Sequence, residues 1–181
     1  MQIERLDADA LPAALDELVE LIRESVGGGA SLGYLAPMST DTAVDYWTSL
    51  LPELAAGTRV VLVARVAGRI VGSGQVRFET KENGRHRAEV VKVMTSSGHR
   101  RQGIGTALMA ALEKAAGEAG IVLLYLDTSD GPGGARELYE ALGWSHAGGI
   151  PGFALDPDGT PADNLIYYKW LADPPVGPRT G

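Results

Sequence analysis

Between Thr95 and Thr106 the chain reads Thr95-Ser96-Ser97-Gly98-His99-Arg100-Arg101-Gln102-Gly103-Ile104-Gly105-Thr106, a run whose residue types suit the capture of an anion. Ahead of it Ala88–Thr95 has strand character, and after it Ile104, Leu108, Ala111, Leu112 and Ala115 recur at helical spacing. A strand that opens through glycines into a helix leaves several N–H groups unpaired at the positive end of the helix dipole. Gly103 and Gly105 let a phosphate approach the backbone, and Arg100 and Arg101 add charge. Two carboxylates flank this unit: Glu89, mid-strand between apolar neighbours, and Asp127, at the end of the apolar run Ile121–Asp127. Parallel pairing of their strands would bring both toward one cleft, a pair of negative charges suited to a cationic group. The plainer alternatives are a solvent-facing Glu89 and an Asp127 that caps a turn.

Three phosphate-binding patterns compete for the glycine turn. A nucleotide-binding P-loop ends in Gly-Lys-Ser/Thr, and Gly105-Thr106 lacks the lysine. A dinucleotide site would use Gly103-x-Gly105 with Asp127 as the ribose-binding acid, but Leu108 stands where a small residue is needed. That site also needs several βαβ units in series, and the only clear one is the Ala88 strand, its helix and the Ile121 strand. The third pattern is Arg100-x-x-Gly103-x-Gly105.

Composition narrows the field further. At 181 residues the chain fits one domain, 1–172, followed by a disordered tail, 173–181, rich in proline and glycine. With 16 basic and 23 acidic residues its net charge is −7, which repels nucleic acid. There is no cysteine, so covalent chemistry must use oxygen or nitrogen, and His86, His99 and His146 have no metal-ligand spacing. No apolar run reaches the roughly 18 residues of a membrane helix. The N-terminus lacks the pattern of a signal peptide, which makes a cytoplasmic location the default.

The elements that must position these residues follow from periodicity. A strand is expected at Gln2–Leu6, a helix at Ala10–Ser25, and a loop from Gly27 to Pro37 that either folds over a ligand or links two helices. Thr40-Asp41 caps a helix carrying Val44, Trp47, Leu50 and Leu51, which Pro52 disturbs. Arg59–Arg65 and Ile70–Phe78 read as a hairpin, and Asn83-Gly84 as a second hairpin turn into the Ala88 strand. Gly133–Leu142 reads as a short helix; Trp144–His146 starts a strand and Asn164–Leu171 closes the sheet, with Asp156-Pro157-Asp158-Gly159 as the turn between them. The result is an α/β fold of α+β type, with about seven strands in a mostly antiparallel sheet and four flanking helices.

These patterns together resemble a known family. Arg100-x-x-Gly103-x-Gly105 is similar to motif A of the GNAT superfamily of N-acetyltransferases, and Glu137-Leu138-Tyr139-Glu140-Ala141-Leu142-Gly143-Trp144 resembles a later signature of the same family. Gly28–Gly33, Arg87–Val90, Leu124–Thr128, Ile150–Phe153 and Pro157–Gly159 look most like its tabtoxin-resistance branch, which acetylates the amino group of a small β-lactam amino acid.

The resemblance implies acetyl-CoA as cosubstrate, its pyrophosphate on Arg100, Arg101, Gln102, Gly103, Ile104, Gly105 and Thr106, and its pantetheine arm beside Val93, Met94 and Thr95. It implies roles for Glu89 and Asp127 in amine binding or proton removal, and for Tyr139, otherwise a packing residue, as general acid to the departing thiolate. By analogy Leu32, Tyr34 and Phe153 line the acceptor cleft. The implied partner is a small-molecule amine, acetylated by direct attack in a ternary complex of a monomer or homodimer. A non-catalytic coenzyme A sensor on the same fold would keep the glycine turn without needing the carboxylates or Tyr139.

Overall fold

The computed structural model describes residues 1–129 and 135–172. In chain order it contains β1 (Gln2–Leu6), α1 (Leu11–Gly27), α2 (Thr40–Ser49), α3 (Leu51–Ala55), β2 (Arg59–Val66), β3 (Arg69–Phe78), β4 (Arg87–Thr95), α4 (Ile104–Glu118), β5 (Leu123–Ser129), α5 (Ala135–Ala141), β6 (Ser145–Leu155) and β7 (Pro161–Trp170). The expected tail at 173–181 and the start of the helix expected from Gly133 lie outside the described residues.

Seven strands form one sheet in the order β1-β2-β3-β4-β5-β7-β6. Every neighbouring pair is antiparallel except β4–β5, which the helix α4 connects as a parallel crossover. Period-two alternation on the strands divides the core between the two faces. Leu11, Leu18 and Ile22 of α1 and Trp47 of α2 cover one face, over Val61 and Val63. Leu108, Met109 and Leu112 of α4 cover the other, over Val76, Ala88, Val90, Leu124 and Leu126. Full burial of such side chains contributes about 1.5–3 kcal/mol each. Close approach of α4 depends on Gly74, where an added Cβ would lie 2.8 Å from Leu112 Cδ1.

The expected strands, helices and turns form, with local differences. The second helix is capped by Ser39 rather than Thr40-Asp41, its side chain accepting from the Thr42 N–H at 3.0 Å. That helix breaks at Leu50 into α2 and α3, because Pro52 fits only a first helical turn. The β3–β4 connection is wider than the two-residue turn that Asn83-Gly84 suggests. Glu79 accepts from the N–H groups of Thr80 and Lys81, and a 3-10 turn spans Glu82–Gly84. β5 begins at Leu123 instead of Ile121, since the Ile121 N–H still closes the end of α4 on Ala116 O. No helix among the described residues is long and apolar enough to cross a membrane.

Candidate active site

The site grows from a fault in the sheet. β4 and β5 pair at Arg87–Leu123, Ala88–Leu124 and Glu89–Tyr125, and no further. Beyond Glu89, β4 bulges against β3, with Lys92 and Val93 opposite Gly74 alone and Lys92 in the left-handed region at φ 55. Among the described residues no strand pairs with Val93, Met94 and Thr95 on the β5 side, so their backbone borders an open wedge. An extended amide-bearing arm can add there as a strand does. The Val93 side chain packs toward α4 and Met94 is buried toward α1, which leaves the backbone to face the wedge.

Below the wedge lies the glycine turn. Glu24 of α1 fixes its first corner, accepting from the Ser97 N–H at 2.7 Å and the Ser97 hydroxyl at 2.5 Å. Gln102 folds back onto Gly98 O at 3.2 Å. Arg101 at φ 61 and Gly103 at φ 79 then turn successive N–H groups outward, and α4 starts with no side-chain cap. The N–H groups of Ile104, Gly105 and Thr106 have no intrahelical acceptor. Nothing lies within 4 Å of a Cβ position on Gly103, so the space in front of these donors is open to an anion of the size of a pyrophosphate. The Ile104 side chain is buried, so this residue offers only its N–H. Arg100 and Arg101 are exposed, with the Arg100 Nη2 3.4 Å from where Gly28 would carry a Cβ.

The structure brings the three expected catalytic residues around the wedge. Asp127 stands two residues beyond the last β4–β5 pair and is exposed. Glu89 is mostly buried and ion-paired with Arg77 across the β3–β4 register. Tyr139 of α5 is buried, its ring 5.7 Å from Tyr167 and 6.1 Å from Trp144. Burial, with the charge of Asp127 added, pushes the phenol up to about 12, so it stays protonated at neutral pH.

Of the expected acceptor residues, two lie together. Leu32 and Tyr34 belong to the α1–α2 loop and reach Lys92, whose Nζ donates to Leu32 O at 2.6 Å and sits 5.7 Å from the Tyr34 ring centroid. Phe153 is on the edge strand β6 and 57% exposed. The β6–β7 turn does close on the same loop, where the Ala36 N–H donates to Pro157 O at 2.8 Å.

Sequence reasoning missed the polar floor of this face. Arg59 is buried, donating to Glu53 at 2.8 Å and to Gln75 Oε1 at 2.7 Å, and the Tyr46 hydroxyl donates to the same oxygen at 3.0 Å. Lys92 lies 5.6 Å from the Tyr46 ring centroid, and burial lowers its pKa against the opposing charge of Asp127. The one available signal was a lysine inside the apolar run Val90-Val91-Lys92-Val93-Met94.

A seven-stranded sheet split beside an uncapped, glycine-led helix is the framework of an N-acetyltransferase domain. The acetyltransferase (GNAT) family model matches residues 17–144, and the chain belongs to that family. Solved structures agree in fold. A ribosomal-protein-alanine N-acetyltransferase from Brucella melitensis is 22% identical, with 94% of this chain and 99% of that one covered at a TM-score of 0.74. YncA from Salmonella typhimurium, with its cofactor acetyl-CoA, is 17% identical over 99% and 98% of the two chains at 0.77. An aminoglycoside 6'-N-acetyltransferase complexed with coenzyme A is 21% identical over 97% and 100% at 0.74. The cosubstrate expected from the sequence, acetyl-CoA, is in keeping with these structures.

Proposed function

We propose that this protein moves the acetyl group of acetyl-CoA onto the primary amine of a small molecule, of the size of the toxin-like amino acid taken by the branch its sequence resembles. The observation that carries the reading is the β4–β5 wedge, with Asp127 on one wall, Tyr139 within its electrostatic reach and the open helix start of α4 below.

When bound, acetyl-CoA supplies a thioester carbon as electrophile. Only about one alkyl amine in a thousand is neutral at pH 7, so a base is needed. Asp127 takes that proton: it is exposed at the wedge, whereas Glu89 is committed to Arg77 and contributes its field to holding the ammonium. Tyr139 gives its proton to the departing sulfur. With no cysteine to carry the acetyl group, the amine attacks directly.

The test is release of free thiol from acetyl-CoA in the presence of a panel of small amines. Release that depends on the amine, with the acetylated amine as product, supports the reading. Tight binding of coenzyme A with no release from any amine favours a sensor.

A further inference from the structure

The floor of the acceptor face holds more donors than acceptors. Lys92 is a half-buried cation with no carboxylate in ion-pair distance among the described residues; Leu32 O takes one of its protons at 2.6 Å. Gln75 is fully buried, and its Oε1 accepts from both Arg59 and Tyr46. Since an arginine can only donate, this fixes the oxygen and turns Nε2 away, where it is buried without a hydrogen-bond partner. The two groups are neighbours: Gln75 pairs with Val91, one residue before Lys92, and Tyr46 touches both. Asp127 and Glu89 lie close enough for their charge to act on the Lys92 ammonium. The nearby Arg59 and Arg77 are already paired with Glu53 and Glu89, which leaves the Lys92 ammonium and the Gln75 amide N–H as the donors without such a partner among the described residues.

Building on the acetyl-transfer reading, we propose that Lys92 and Gln75 form a subsite for a carboxylate that the acceptor carries beside its reactive amine, with Asp127 and Glu89 facing the ammonium. An anionic oxygen satisfies the orphaned amide N–H and compensates the lysine charge at once, through charge-assisted hydrogen bonds. A neutral carbonyl would satisfy the amide but add no charge to set against the half-buried ammonium. Tyr34 and Tyr46 flank Lys92 at 5.7 and 5.6 Å and screen it from water, which strengthens its pull on an anion.

The experiment measures thiol release with amino acids and their decarboxylated counterparts: ornithine with putrescine, lysine with cadaverine, tyrosine with tyramine, histidine with histamine. Expected is turnover of at least one pair, with kcat/KM roughly ten- to a hundredfold higher for the carboxylated member and the difference in KM. Lys92→Met, shown to be folded by its thermal shift with coenzyme A, should bring that ratio close to one. Equal kcat/KM within the pairs, or a preference that survives Lys92→Met, overturns the subsite and leaves acetyl transfer standing. No release from any amine overturns both. Because the paired comparison uses the unmodified protein, it holds even if the variant does not fold.

Discussion

Glu89 on β4 faces Tyr125 on β5 as the last pair in register, and two residues later Asp127, still paired with Ile166 of β7, has no β4 partner where the strands have parted. The carboxylate before the split is ion-paired with Arg77, while the one beyond it is exposed. Asp127→Asn should therefore cost about 10²- to 10⁴-fold in kcat/KM, and Glu89→Gln less. Without the base, residual turnover should climb about tenfold per pH unit toward the acceptor's own pKa near 10, as its neutral fraction grows. Steady-state rates between pH 6 and 9 check this; a larger loss for Glu89→Gln would exchange the two roles.

Tyr139→Phe keeps the ring packed against Trp144 and Tyr167 and removes only the hydroxyl. Its kcat should fall about 10²-fold while coenzyme A affinity stays within about twofold. Burial and the Asp127 charge raise the phenol to about 12, and a raised pKa extends the protonated, proton-donating form to higher pH. The wild-type kcat should therefore show no fall from phenol ionisation below about pH 10. A kcat profile and a coenzyme A titration of both proteins test the assignment.

The sequence patterns that proved readable are those whose physics is local. The apolar runs of β2 and β3 with the hairpin turn between them, the helical stripe from Ile104 to Leu112, and the glycine turn between β4 and α4 depend on near neighbours, and each forms where the sequence pattern puts it. The wedge was not readable, because it arises from a bulge at Lys92 opposite Gly74 and from a pairing that stops at Glu89, both set by strands distant in sequence. Lys92, Gln75 and Arg59 become neighbours only once β2, β3 and β4 are laid side by side. Phe153, expected at the acceptor cleft by analogy alone, stands on the edge strand β6 with its ring largely in solvent, a position that no local pattern in the sequence reveals.

Glu17 ties α1 to the β2–β3 hairpin, accepting from the Ile70 N–H at 2.8 Å and from Arg65 at 3.0 Å. Burial alone would raise its carboxyl, but these partners outweigh it and hold the pKa below the ordinary value. A folded-state pKa below the unfolded one stabilises above the unfolded value, about 4.3, and that stabilisation is lost as pH falls through the folded pKa. Glu17→Gln should thus be less stable than wild type at pH 7, with the gap closing toward pH 3. Urea midpoints across that range measure it, and a gap independent of pH would count against the ion pair.

Gly103 occupies φ 79 directly before α4, and a Cβ there would enter the open space in front of the first helical N–H groups. Gly120, at φ 81 beyond the other end of the same helix, also has nothing within 4 Å of its Cβ position. Alanine in the left-handed region costs roughly 1–2 kcal/mol, so both substitutions should lower stability by similar amounts. Their effects on function should differ. Gly103→Ala should also raise the KM for acetyl-CoA several-fold, because a methyl group at the turn keeps a pyrophosphate from the backbone, whereas Gly120→Ala should not. Thermal melts together with acetyl-CoA titrations separate strain from lost contact: equal KM values in the two variants would mean that the turn does not receive the phosphates.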